Sequence, residues 1–132
     1  MLVGLIERDT GSVYIHGKDI QSRSMETRSL CGYMPQTINL DDELTVFQNI
    51  NIHGRLHGLS PSDAKSSTLH WAELLDMTCY LHQYPPKLAY GIQRKVLFVR
   101  AVVHDPEVIL LDEPTTGMDP QSRSAVWNVL DK

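Results

Sequence analysis

No apolar run in the 132-residue sequence approaches the roughly 18 to 20 residues needed to cross a bilayer. The opening Met1-Leu2-Val3-Gly4-Leu5-Ile6 is too short for a secretion signal and lacks the basic flank. Any link to a membrane therefore has to run through another chain. Cysteine is scarce: Cys31 and Cys79 are far apart and form no CxxC or metal-type cluster, as in a reducing compartment, so the cytoplasm is the expected location. A basic surplus is missing too. Twelve Lys+Arg stand against 16 Asp+Glu, giving a formal charge of -4 and a pI near 5.8, without the excess that drives binding to phosphate backbones. Aromatic residues make up 7% and form no stacking platform, so no nucleic-acid partner is expected. What is present is ordinary globular usage, 42% hydrophobic and 21% charged, at the size of one domain.

Local signals place the elements. Met1 to Ile6 has no capping residue before it and reads as the tail of a helix begun upstream. Val13-Tyr14-Ile15, bounded by Gly11 and Gly17, and Leu30-Cys31-Gly32-Tyr33-Met34, before Pro35, read as short strands. Thr45-Val46-Phe47-Gln48 has capping-box spacing and opens a helix through about His57, which Gly58 stops. Ser60-Pro61-Ser62-Asp63 repeats the device. Ala64, Thr68, Trp71, Ala72 and Leu75 then make one stripe of an amphipathic helix. A further helix is expected after Gly91, through Arg100 and Val103, ending near Asp105-Pro106. Val108-Ile109-Leu110-Leu111 has the continuous apolar pattern of a strand buried on both faces of a parallel sheet. Asp119-Pro120 then makes an N-cap and first-turn pair for a helix still running at Lys132. Helices alternating with buried strands mean an α/β fold.

The strongest chemical signal follows the last strand, which delivers Asp112 and Glu113 to its carboxyl end, where open α/β sheets bind ligands. Asp112 is placed to hold a Mg²⁺ ion on nucleotide phosphates, usually through water, because that ion prefers oxygen and keeps part of its hydration shell. Glu113 is placed to orient and deprotonate an attacking water, a step contributing about 10²–10⁴-fold in rate.

These residues do not stand alone. Thr115-Thr116-Gly117-Met118-Asp119-Pro120 follows them, and Leu88-Ala89-Tyr90-Gly91-Ile92-Gln93-Arg94-Lys95 lies upstream at a helix opening. At this point the sequence resembles the ATP-binding cassette (ABC) family, whose signature motif Leu-Ser-Gly-Gly-x precedes the acidic strand by about this distance. Gly32-Tyr33-Met34-Pro35-Gln36 looks like the family's Q-loop, and Gly11 to Ile20 like its hairpin after the phosphate-loop helix. Leu40 to Val46 and His53 to Leu59 are similar to segments of drug and lipid exporters, the daunorubicin-resistance type and the eukaryotic A subfamily. The resemblance covers essentially the whole chain.

It implies a partial P-loop NTPase domain, with an incomplete parallel sheet core and a helical signature subdomain. Residues 1–43 would form part of the core with hairpin and Q-loop, 44–104 the helical subdomain, and 105–132 the Walker B strand, D-loop and start of the next helix. ATP and Mg²⁺ are the implied cofactors. Gln36 would touch the metal and the attacking water. Ala89, Tyr90, Gly91 and Gln93 would lie at the nucleotide, with Gly91 as the close-approach residue, and Asp119 at the D-loop would cross the dimer seam. The implied partners are a second ABC ATPase domain, paired head to tail, and a transmembrane permease, which would hold the chain peripherally at the cytoplasmic face of a membrane.

Three departures from the family pattern qualify this expectation. The Gly-rich phosphate loop ending in Lys-Ser/Thr is absent, as is a histidine after the D-loop; the expectation is that both lie outside a chain truncated at both ends. On that reading the isolated chain binds ATP poorly and hydrolyses none. Ala89 stands where the family has serine, and losing one hydrogen bond to a charged group costs roughly 1.5–3 kcal/mol. Tyr90 stands where it has glycine and would obstruct docking, which suggests a weakened half-site; Ile92 for Met or Gln is a mild change. The leading expectation is thus the ATPase subunit of an exporter, the alternative a degenerate, non-catalytic regulatory module, while an ABC protein of ribosomes or DNA fits the acidic charge poorly.

Other polar residues receive plain readings. His53 and His57 share a helix face at i, i+4, a zinc-capable spacing, but Gly54 stands where a metalloprotease has Glu, and no metal is expected there. Gln93-Arg94-Lys95 reads as a solvated helix face, and Cys31 as a buried strand residue.

Overall fold

The computed structural model describes residues 10–15, 17–19, 27 and 29–130, so the expected helix tail over 1–6 lies outside it. Strands β1 (Tyr14–Ile15) and β2 (Lys18–Asp19) pair antiparallel; the first is the short strand expected between Gly11 and Gly17, and the hairpin is the one the family resemblance implies. Strands β3 (Cys31–Met34) and β4 (Val108–Leu111) pair in parallel, from Cys31 opposite Val108 to Met34 opposite Leu111. A parallel pair needs a long crossover, and here it is helical: α1 (Val46–Leu56), α2 (Pro61–Leu74) and α3 (Tyr90–Val102). Helix α4 (Pro120–Leu130) follows β4.

The helix starts obey their caps. The Thr45 hydroxyl accepts from the Gln48 N–H at 3.2 Å, while the Gln48 side chain accepts from the Thr45 N–H at 2.9 Å, so the capping box is complete. Ser60 caps α2 through the Asp63 N–H at 3.1 Å, with Pro61 in the first turn. Buried Asn49 ties the preceding loop to α1, its amide donating to Asp41, Leu44 and Thr45 carbonyls while its oxygen accepts from the Asp41 N–H.

Helix α3 is the centre of the packing. Val96, Leu97, Phe98, Val99, Ala101 and Val102 are buried, and α3 lies against β3 on one side and α1 on another. The predicted α2 stripe meets it: Ala64, Thr68, Ala72 and Leu75 are buried, and half-buried Trp71 sets its edge on the Phe98 ring at 6.1 Å.

Two expectations need correction. Strand β4 is half-buried along its whole length and not buried on both faces; among the described residues it pairs with β3 alone. The Gln93-Arg94-Lys95 stretch is not a solvated face: Arg94 is fully buried and Lys95 is 7% exposed. Their heads are inside because backbone carbonyls receive them, Lys95 Nζ donating to the Leu75 carbonyl at 3.1 Å. No helix among the described residues is long and apolar enough to cross a membrane.

Candidate nucleotide site

The register of β3 and β4 decides where the candidate residues fall. With Met34 opposite Leu111, both strands end level, and the Asp112 N–H extends the pairing to the Met34 carbonyl at 3.0 Å. Gln36, Asp112 and Glu113 therefore leave the sheet from one carboxyl edge, all three exposed. Glu113 has φ +47, the left-handed region that costs a non-glycine residue about 1–2 kcal/mol. The following Pro114 disfavours the ordinary helical alternative, and the Thr116 N–H returns to the Glu113 carbonyl at 3.2 Å to close the turn. The Glu113 carboxylate accepts from the Thr116 hydroxyl at 3.3 Å.

Arg94 holds this edge together. One guanidinium nitrogen donates to the Pro35 and Gln36 carbonyls at 2.9 and 2.6 Å, and the other to the Asp112 and Glu113 carbonyls at 3.2 and 2.6 Å. Only a planar fork with fixed donors satisfies two chain segments in this way. No sequence signal sets Arg94 apart: it stands within Gln93-Arg94-Lys95, three consecutive polar residues that read as one exposed face.

The signature-like loop lies beside the acidic turn. Ala89 is the N-cap of α3, with no side-chain acceptor for the first-turn amides, and the helix begins at Tyr90, two residues earlier than expected. Gly91 makes a close approach within the chain: a Cβ there would lie 2.7 Å from the Gly117 carbonyl oxygen. Gly117, at φ +76, has the Tyr90 ring where its own Cβ would be, 2.5 Å from the nearest ring atom. Tyr90 thus spans from the signature-like turn to the loop after the acid pair, with half its surface exposed. Gln93 folds back, its amide donating to the Leu88 carbonyl at 2.9 Å.

Asp119 caps α4, accepting from the Ser122 N–H at 2.9 Å and from the Ser122 hydroxyl. These bonds hold its carboxyl below the usual range, the hydroxyl foremost and then the amide, with the Lys95 charge adding a smaller pull. An open groove of about 280 Å³ runs past Lys95, Asp119, Tyr80 and Ile92.

As donors for a hard cation the edge is suitable. Asp112 and Gln36 are exposed, oxygen-bearing residues on two segments whose carbonyls share the Arg94 guanidinium, which suits an ion that keeps its waters.

A family model described as ABC transporter matches residues 1–116. The chain is 36% identical to Nod factor export ATP-binding protein I of Burkholderia lata over 130 residues, 98% of this chain and 43% of that protein. It is 33% identical to the protein of the same name from a Rhizobium species, with the same coverage of 98% and 43%. The chain thus spans less than half the length of these relatives. Among solved structures, it superimposes on an ATP-binding subunit of an ABC transporter with TM-score 0.90 and 25% identity, covering 98% of this chain and 54% of that one. A dimeric ATP-binding cassette bound to ADP and Pi after hydrolysis gives TM-score 0.87 at 22% identity, over 98% of this chain and 60% of that one, a likeness of fold alone.

Proposed function

The chain belongs to the ABC transporter family, and from that premise we propose that it forms the acidic and signature edge of an ATP-binding subunit that drives export through a membrane permease. Its fold is the α/β fold of P-loop NTPases. The observation that carries the proposal is the Arg94 fork, which ties the backbone of Gln36 to that of Asp112 and Glu113 at the ends of paired parallel strands.

In this reading Asp112 and Gln36 hold Mg²⁺ through water, and the bound ion supplies charge neutralisation on the phosphates of ATP. The Glu113 carboxylate, turned out of the strand by its left-handed backbone, orients the attacking water and takes its proton. The amino end of α3, from Ala89 through Gly91, faces the γ-phosphate of a partner's nucleotide in a head-to-tail dimer, where free N–H groups and the helix dipole favour an anion. Gln93 holds that loop in shape through Leu88, and Asp119 works at the seam between the two ATPase domains. Residues 1–43 and 105–132 then belong to the catalytic core and 44–104 to the helical subdomain that meets the permease, which keeps the subunit peripheral at the cytoplasmic face. The relatives named for Nod factor export support the export direction.

One observation favours a second reading, a regulatory half-site with weakened turnover: Tyr90 covers Gly117, and Ala89 provides no hydroxyl. Both readings are tested in a chimera in which this chain replaces the matching 130 residues of the Burkholderia lata relative. The expected result is ATP hydrolysis that Glu113→Gln lowers by about 10²-fold or more while ATP binding persists. Turnover indifferent to Glu113→Gln overturns the catalytic assignment. A chimera that binds ATP but turns over only after Ala89→Ser with Tyr90→Gly selects the regulatory reading.

A further inference from the structure

Away from the nucleotide edge, the fold assembles a cluster that the proposed mechanism does not use. His53 and His57, one turn apart near the end of α1, meet His104, which lies just past the end of α3, and one nitrogen from each ring falls within 4.8 Å of the others. The His57 ring is stacked between its neighbours, with centroids 4.3 Å from His53 and 4.2 Å from His104.

Hydrogen bonds fix which nitrogen His57 and His104 have free. His57 Nδ1 lies 3.0 Å from the His53 carbonyl, which can only accept, so this nitrogen carries the proton and Nε2 keeps its lone pair. His104 Nε2 donates likewise to the Cys31 carbonyl at 3.2 Å, and its Nδ1 is buried without a partner. His53 Nδ1 is also buried and unpartnered. His57 and His104 are thus each oriented by a backbone carbonyl on one nitrogen and left with an unused lone pair on the other. That is the arrangement by which proteins prepare histidines for a metal, the outer carbonyl setting the tautomer. Two buried nitrogens without partners are otherwise a net cost.

We infer that His53, His57 and His104 form a binding site for a zinc-type divalent cation, which joins the end of α1 to the exit of α3 and the start of β3. Imidazole nitrogen suits a borderline-soft ion of this kind, and three histidines leave a fourth position for water. Bonds of about 2.1 Å in a tetrahedral site bring ligand nitrogens to about 3.4 Å from one another, so the rings close inward on binding. His57 is the ring that turns, being half-exposed at the helix C-cap while His104 is buried. Burial, reinforced by the neighbouring positive groups, holds His53 near about 3 and His104 near about 4, so both are neutral and ready to ligate at pH 7. The inference stands independently of the ATPase proposal.

The test is titration of the full chain with Zn²⁺ against a chromophoric chelator, alongside Co²⁺ absorption spectra. One ion per chain is expected, with a tetrahedral Co²⁺ spectrum, and His57→Ala or His104→Ala weakens binding about tenfold or more. His70→Ala and His82→Ala, at exposed positions outside the cluster, leave it unchanged. Absence of stoichiometric binding overturns the site, as does affinity lost equally in the outer pair of variants. His57→Gln keeps the test valid if His104→Ala fails to fold, since His57 is only partly enclosed; binding that survives His57→Gln with an unaltered Co²⁺ spectrum also overturns it.

Discussion

The two ends of α3 bury polar groups in opposite ways. At its amino end the Arg94 guanidinium meets four backbone carbonyls, from Pro35, Gln36, Asp112 and Glu113, and so ties two segments of one chain together. Beyond its carboxyl end three imidazoles converge, and two of their nitrogens have nothing to bond. In the first cluster both terminal guanidinium nitrogens are spent on carbonyls of the same chain, with Nε left unpartnered, and the result is a tie between two segments. In the second, His53 and His104 each keep a buried nitrogen without a partner while three rings bring one nitrogen apiece together. An unpartnered buried nitrogen alone does not separate structure from function; the convergence of several ligating groups does.

The largest way to break this contrast is to remove the arginine tie. Arg94→Met removes the guanidinium from four backbone carbonyls, of which Glu113 keeps the Thr116 N–H, and denaturant unfolding should show a loss of about 3 kcal/mol or more. Arg94→Lys keeps charge but not the fork and should recover only part of it. A loss below about 1 kcal/mol for Arg94→Met would mean that the strand ends are held by other means.

The histidine cluster should answer to pH. His53 and His104 bind protons more weakly folded than unfolded, so their contribution is fully present above the unfolded value of 6.5. It is lost as pH falls through about 4 and on toward about 3. Unfolding midpoints measured with chelator present should therefore decline over that window, and His53→Gln should flatten the decline. A midpoint independent of pH across it would show that the rings are hydrated rather than enclosed.

A smaller effect sharpens the comparison at the amino end. Gly117→Ala meets both a left-handed backbone and the Tyr90 ring and should cost roughly 1–3 kcal/mol. Adding Tyr90→Gly removes the ring but not the φ, leaving about 1 kcal/mol of the alanine's cost. Equal costs with and without Tyr90 would show that the ring is not held over the loop.

What the sequence made legible was local. The caps at Thr45, Ser60 and Asp119 and the stripe through Ala64, Thr68 and Ala72 depend on residues three or four apart, and all appear as read. The position of the acid pair was legible as well, because the continuous apolar run Val108 to Leu111 reads as a strand and Asp112 and Glu113 follow its last residue. Illegible were the contacts between distant segments. Nothing near Arg94 in the chain announces carbonyls at Pro35 and Glu113, and nothing near His57 announces His104. The helix begins at Tyr90 rather than after Gly91 because Ala89 adopts the cap conformation without a capping side chain, which composition cannot signal. The contact between Gly91 and the Gly117 carbonyl likewise depends on two loops meeting in space.

The central claim is that Gln36, Asp112 and Glu113 form one metal-nucleotide edge. Mn²⁺ binding in the presence of ATP, followed by electron paramagnetic resonance in the chimera with the Burkholderia lata relative, tests it most directly. Asp112→Asn should weaken Mn²⁺ binding by about tenfold or more, while Glu73→Gln, on the exposed face of α2, should leave it unchanged. Equal Mn²⁺ affinity in the parent chimera and Asp112→Asn would contradict the account.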